Sequence, residues 1–287
     1  MRRTERTNGG ESMKRRRFLR LLVLLLAALA LFLWDGQTRI VTDRYEVAPA
    51  GLPQSFDGFR IIQVSDLHGA SFGEGNARLI ERVRREKPDL IAITGDLVGK
   101  ESDLAVSASL LPKLAEIAPC YYVNGNHEWA SHTIDALEKQ LEESGVTNLR
   151  NESVELERDG ERVILLGVVD PNAWSHFAKP DTVVERLRQR YHNECMILLA
   201  HRNTWTEKYP ELDVELILCG HGHGGIVRIP GIGGLYANDH SLFPGNTEGA
   251  IETEQYTMVV SRGLGNVHRV PRIFNNPELV TVILRAS

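Results

Sequence analysis

The chain has little cysteine: Cys120, Cys195 and Cys219 are the only three in 287 residues. An odd count, each within an apolar run, argues against a disulfide framework and reads as plain core thiols. Aromatic residues are also sparse, at 7%, whereas 25 glycines are spread along the chain. That balance suits an α/β domain with many tight loops. Internal repeats and low-complexity tracts are missing too. Beyond residue 20 there is no basic cluster. The first twenty residues carry eight Lys/Arg against two Asp/Glu, a net +6, while the rest carries 25 basic and 36 acidic groups, a net −11. An acidic body of this kind is a poor binder of a phosphate backbone, so the expectation is no nucleic-acid partner, and a nuclease is disfavoured.

Apolar residues are plentiful. With 42% hydrophobic and 25% charged residues, the chain can bury one large core or two small ones. One apolar run stands apart. "FLRLLVLLLAALALFLW", residues 18–34, contains Arg20 as its single charge and is long enough to cross a bilayer. The flanking Lys14–Arg17 should stay cytoplasmic, which places everything after Trp34 outside the cytoplasm. The expectation is a single-pass protein of the cell membrane with an extracytoplasmic domain. "KRRRFLR", residues 14–20, has two readings. It resembles a twin-arginine export signal, with Lys14 where Ser or Thr is usual, which would make the twin-arginine machinery a partner. Alternatively, it only orients an ordinary signal anchor. Ala28-Leu29-Ala30 lies inside the apolar run, not after it, so no clear cleavage site follows and an uncleaved anchor is expected.

The remaining chain alternates between apolar runs and helical periodicity. "FRIIQVSDLH", "DLIAITGDL" and "CYYVNGNHE" read as buried strands with polar tips. Between them, "NARLIERVRREK" reads as a helix capped by Asn76. "DLAVSASLLPKLAEI" reads as a helix bent or broken at Pro112, and "TIDALEKQLEESG" as one closed by Gly145. This order implies parallel strands with right-handed crossovers. Later, Asp159-Gly160 marks a hairpin, "DTVVERLRQRY" another helix, and "CMILLAH" and "LILCGHGH" two more buried strands. The expected organisation is a basic N-terminus (1–17), a transmembrane signal anchor (18–34), a connector (35–49) with a strand near "RIVTDRYEV", and one domain (50–287) of two packed sheets with helices outside.

The strand tips form a pattern. They carry Asp66 and His68, Asp96, Asn126 and His127, His201, then His221 and His223. In an α/β sheet, residues just beyond the carboxyl ends of strands share one crevice. Oxygen and imidazole donors suit Zn, Mn or Fe. A lone Asp at a strand end is more often a cap or turn former, and a lone His a satisfied core residue. Five such tips in succession are far more specific.

With these motifs, "DLH" at 66–68, "GD" at 95–96, "GNHE" at 125–128, "AH" at 200–201 and "GHGH" at 220–223, the sequence resembles the calcineurin-like metallophosphoesterase superfamily. "GGIVRIPGIGGLY" and "VVSRGLGN" resemble its bacterial, membrane-anchored phosphodiesterase subgroup. The resemblance implies a four-layer α/β/β/α sandwich of two mixed sheets flanked by helices, and a site for two divalent or trivalent metal ions. It assigns Asp66, His68 and His223 to one metal and Asn126, His201 and His221 to the other. Asp96 bridges them and His127 is the catalytic residue facing substrate. A bridge between cations about 3.5–4 Å apart has to be anionic, which fits Asp96. Arg202-Asn203 follows His201 where a Pro-containing loop is frequent in the subgroup, and Glu128 replaces an Asp; neither removes a ligand. The function implied is two-metal hydrolysis of phosphodiesters or phosphomonoesters at the outer face of the cytoplasmic membrane, with a lipid-linked ester as a candidate substrate. The rival is a membrane-tethered metal or phosphate binder without catalysis, which the complete ligand set disfavours.

Overall fold

The computed structural model describes residues 8–173, 175–236, 241–266 and 270–286, so the first seven residues of the basic N-terminus lie outside it. The chain opens with α1 (Asn8–Thr38). Its stretch Met13–Thr38 is long and apolar enough to cross a membrane, and the most apolar window within it is not buried. At 1.5 Å per residue those 26 residues span about 39 Å.

Chain order continues with β1 (Val41–Val47), β2 (Arg60–Val64), α2 (Ala77–Glu86), β3 (Leu90–Thr94), α3 (Leu104–Ala115), β4 (Cys120–Val123), α4 (Asn126–Ala130), α5 (Ile134–Glu143) and β5 (Thr147–Asn148). The second half holds β6 (Ser153–Arg158), β7 (Glu161–Gly167), α6 (Pro180–Arg190), β8 (Met196–Leu199), α7 (Trp205–Lys208) and β9 (Leu216–Cys219). It ends with β10 (Arg228–Ile229), β11 (Gly233–Gly234), β12 (Gly249–Glu252), β13 (Thr257–Val260) and β14 (Glu278–Leu284). Two mixed six-stranded sheets result, ordered β1-β14-β2-β3-β4-β5 and β12-β13-β9-β8-β7-β6. Within the first, β2, β3, β4 and β5 are parallel; within the second, β7, β8, β9 and β13 are.

Period-two alternation builds the layers. Leu90 and Ala92 of β3 join Ile197, Leu199, Leu216 and Leu218 in a core between the sheets. Ile91 and Ile93 point the other way, against Leu79, Val83, Leu110, Leu114, Leu137 and Leu141 of the helices. On the far side, Leu198 and Ile217 pack on Val183, Val184, Leu187 and Trp205. The order helix, sheet, sheet, helix is the expected four-layer sandwich. Strands covered on both faces must be apolar throughout, which explains the unbroken runs. Cys120, Cys195 and Cys219 are free and buried in these layers.

Local expectations fare unevenly. Asp159-Gly160 makes the hairpin, with both residues at positive φ and Arg158 opposite Glu161. Gly145, at φ 70°, follows the end of α5, and Val146 N–H reaches back to Leu141 O at 2.9 Å, a C-capping arrangement. Pro112 does not end α3, which runs on to Ala115. Asn76 stands at the N-cap of α2, but its side chain makes no capping bond; its Oδ1 accepts Phe72 N–H at 2.8 Å. Within the stretch read as connector, β1 pairs with β14 over all seven residues.

Candidate metal centre

Each expected ligand sits just past the carboxyl end of a strand: Asp66 and His68 after β2, Asp96 after β3, His201 after β8, and His221 and His223 after β9. Asn126 and His127 open α4 after β4. The turns that hold them are unusual. Asp66, His68, Asp96, His221 and His223 all have φ between 45° and 68°. Left-handed backbone costs a non-glycine residue roughly 1–2 kcal/mol, and strain of this kind clusters at functional sites. The backbone network sustains it: Asp66 N–H donates to Gly95 O at 3.1 Å and His68 N–H to Asp96 O at 2.9 Å.

The motif glycines have a steric cause. A Cβ on Gly125 would lie 2.1 Å from Asp96 Oδ1, and one on Gly220 2.1 Å from Ser65 Oγ and 2.2 Å from Asp66 Oδ2. The backbone must therefore pass bare against the carboxylates.

The side chains converge as two overlapping groups. In one, His68 Nε2 is 3.2 Å from His223 Nε2, which is 3.5 Å from Asp66 Oδ1. In the other, His201 Nε2 is 3.1 Å from both Asn126 Oδ1 and His221 Nδ1. Asp96 stands between them, its Oδ2 3.1 Å from His201 Nε2 and 3.6 Å from His68 Nε2. His127 lies beside this junction, its ring 4.8 Å from that of His68, and its ligand atoms fall in range of His68 and Asp96.

The roles of the two Asp96 oxygens differ. Oδ1 accepts His127 N–H at 2.9 Å, whereas the buried Oδ2 makes no hydrogen bond of good geometry and faces imidazole nitrogens, His201 Nε2 at 3.1 Å and His68 Nε2 at 3.6 Å. A buried carboxylate oxygen that faces the nitrogens of two donor groups fits a cation between them. The donor set fits as well. His201 Nδ1 faces the Thr94 carbonyl at 2.9 Å; a carbonyl only accepts, so Nδ1 carries hydrogen and Nε2 is turned to the centre.

Burial pushes Asp66 up to about 6, with His201 opposing and Asp96 adding to the rise. Burial also takes His68 and His221 down to about 3 and His223 well below its usual value, which keeps these imidazoles neutral donors. His201 goes the other way. Burial opposes its charge, but Asp96 beside it raises it to about 10. Asp96 is correspondingly held far below the carboxylate range, since His201 and His68 outweigh its burial. A cation taking this place displaces a proton.

Comparison with known proteins decides the family. The profile of the Calcineurin-like phosphoesterase family matches residues 59–225. The chain belongs to this family. It is 28% identical over 96% of its length to the uncharacterized metallophosphoesterase YkuE of Bacillus subtilis (strain 168), of which the match covers 99%. It is 29% identical to the phosphodiesterase YaeI of Escherichia coli (strain K12), over 79% of this chain and 82% of that protein. A transmembrane protein with metallophosphoesterase domain from Danio rerio is 26% identical over 84% of this chain and 56% of its own length. The chain is thus a metal-dependent phosphoesterase, a hydrolase of phosphoric esters, with residues placed to bind metal.

Two further groups support the centre of this calcineurin-like phosphoesterase, Glu128 of the GNHE motif and Arg202, which belongs to no motif. The fully buried Glu128 accepts N–H groups of Gly125 at 2.9 Å, Asp96 at 3.2 Å and Val98 at 3.3 Å, so it clasps two ligand loops together. Burial and Asp96 raise it to about 8. Arg202 pairs with the buried Asp170 at 2.8 Å. Its adjacency to His201 was the sole hint of a role. Arg202 and His221 also line a cleft of about 290 Å³ with Asn203, Ser241, Pro244 and Asn246.

Proposed function

We propose that the chain hydrolyses phosphodiesters or phosphomonoesters with two metal ions at the outer face of the cytoplasmic membrane, held there by α1 as a retained, single-pass signal anchor. Asp66, His68 and His223 hold one ion, Asn126, His201 and His221 the other, and Asp96 both. Asp96 Oδ2, which faces a nitrogen of each group, carries this reading. When bound, the ions supply charge stabilisation to the phosphoryl oxygens and an activated water. Zn, Mn and Fe all match the mixed oxygen and imidazole donors.

The protein's own residues do the rest. His127 N–H fixes the orientation of Asp96 through Oδ1, and the partly buried His127 ring, edge-on to that of His68, faces substrate beside the junction. From there it donates a proton or hydrogen bond to the leaving oxygen as charge develops. Arg202, at the rim of the cleft, is oriented by Asp170 toward an anionic ester. Leu242 and Phe243 are 66% and 58% exposed and lie between cleft residues Ser241 and Pro244, which supports a lipid-linked ester as substrate. Lys14–Arg17 before the apolar run supports a cytoplasmic N-terminus, and "KRRRFLR" keeps the twin-arginine route as the proposed means of export.

Two experiments test this. Anomalous scattering at metal edges on protein purified without added metal should find two adjacent ions bridged by Asp96; a single ion, or none with full activity, overturns the two-metal reading. Protease added to intact cells should digest the domain and leave a membrane stub, and a protected domain overturns the orientation.

A further inference from the structure

The end of α1 does not trail into a loose tether. Gln37 Nε2 donates to Arg272 O at 3.1 Å and Asn276 Nδ2 to Asp35 O at 3.0 Å. Gly36 comes so close to the same Arg272 carbonyl that a Cβ would lie 2.8 Å from its oxygen. Only residues 39 and 40 separate α1 from β1. Whatever height the helix takes in a bilayer, this part of the domain takes it too.

That height is readable. The apolar run ends at Trp34, and tryptophan favours the level where acyl chains meet headgroups. The ring of Phe274, on the domain, lies 5.1 Å from that of Phe32, inside the apolar run. Phe274 and neighbouring Val270 are 55% and 44% exposed. On the other side of the helix end, Trp34, Thr38, Arg39, Arg78 and Arg82 border a cleft of about 140 Å³. Arg39 is engaged with Asp35 at 2.8 Å. Arg78 and Arg82, one turn apart on α2, make no ion pair or side-chain hydrogen bond among the described residues.

We propose that this face docks on the bilayer that α1 crosses, with phosphates of anionic phospholipids at Arg78 and Arg82 and Phe274 among the acyl-chain ends. The inference rests on the spanning reading of α1 and adds a second, headgroup-reading contact to it. Continuity argues for lipid as the occupant, because Phe274 touches the surface of α1 that lies in hydrocarbon. Charge argues for anionic lipid. The body of the protein carries net −11 and is repelled by such a leaflet, whereas two uncompensated guanidiniums at headgroup height are drawn to it. The ordinary alternative is a solvated helix face indifferent to lipid.

The full chain is reconstituted into nanodiscs of phosphatidylcholine alone or mixed with phosphatidylglycerol. Amide exchange over residues 77–86 should slow about tenfold in the mixed discs, and Arg78→Glu with Arg82→Glu should abolish the difference. A spin label on Phe274→Cys, with the three buried native thiols unreactive, should collide with oxygen more than with a water-soluble nickel complex. Equal exchange in both discs with a nickel-accessible label overturns the docking. So does equal slowing by inorganic phosphate, which marks a soluble anion as the ligand. Alkaline carbonate extraction separates the two readings: a released chain overturns the spanning helix, whereas a retained chain with unchanged exchange overturns the docked face alone.

Discussion

The two sheets contribute unequally to the centre. Tips of β2, β3 and β4 bring both carboxylates, the amide of Asn126 and the imidazoles of His68 and His127; tips of β8 and β9 bring three imidazoles and no acid. The first wall holds the negative charge, and its carboxylates are fixed by backbone N–H groups, from His127 to Asp96 and from His221 to Asp66. The walls hold each other, since His221 N–H of the second reaches Asp66 and His201 is oriented by the Thr94 carbonyl of the first. Loss of Asp96, which stands between the two groups, should therefore reach both, whereas loss of a single imidazole side chain should stay local.

The largest expected effect tests that asymmetry directly. Asp96→Asn keeps the size and loses the charge, so both groups should lose their ions and turnover should fall about 10³-fold or more. His221→Ala should remove one ion and leave the Asp66, His68 and His223 group loaded. Elemental analysis of the two variants decides; one ion lost in each case breaks the comparison.

Next comes His127→Ala, expected to lower turnover by about 10²–10⁴ while both ions stay. The loss should lie in kcat, since the interaction strengthens in the transition state. It should be larger for alkyl than for nitrophenyl esters, whose leaving group needs little protonation. Rates on both ester types, with metal content in parallel, make the check. Metal loss would make His127 a ligand of the acidic wall instead.

A smaller effect is expected of Gly220→Ala. Its methyl group would press on Ser65 and Asp66 from the imidazole wall, costing about 1–3 kcal/mol of stability and about 10–100-fold in metal affinity. Thermal unfolding and metal titration would measure both. Arg202→Ala should change least, raising KM about tenfold with kcat nearly kept, because the guanidinium binds ester charge in ground and transition state alike. A fall in kcat alone would place Arg202 at the reacting phosphoryl group.

Much of the centre was legible because its residues follow unbroken apolar runs, and such runs are strands covered on both faces. The four layers follow from the same runs and from the helical spacing between them. Long-range returns were not legible. β14 comes back from the end of the chain to sit between β1 and β2, and nothing in "ELVTVIL" names its neighbours. Pro112 does not break α3, which tolerates one missing N–H near its end. The left-handed turns at Asp66, His68, Asp96, His221 and His223 carry only a weak local signal, since Asp and His enter that region more often than most residues but still rarely. Tertiary bonds impose them. Nor could the Arg202–Asp170 pair be read across 32 positions of sequence.

The Gly36 contact with the Arg272 carbonyl has a kinetic consequence. A tethered enzyme on a long linker sweeps a volume of solution and meets substrate by bulk concentration. Here the helix end is clamped to the same loop that carries Arg272, whose guanidinium reaches 3.4 Å from His223 Nδ1. With α1 across a bilayer, as proposed, the phosphoesterase works at one fixed elevation above it. For an ester embedded in that bilayer, the variable governing encounter is the number of molecules per unit of membrane area, and turnover in vesicles should follow surface dilution of the substrate at constant total amount.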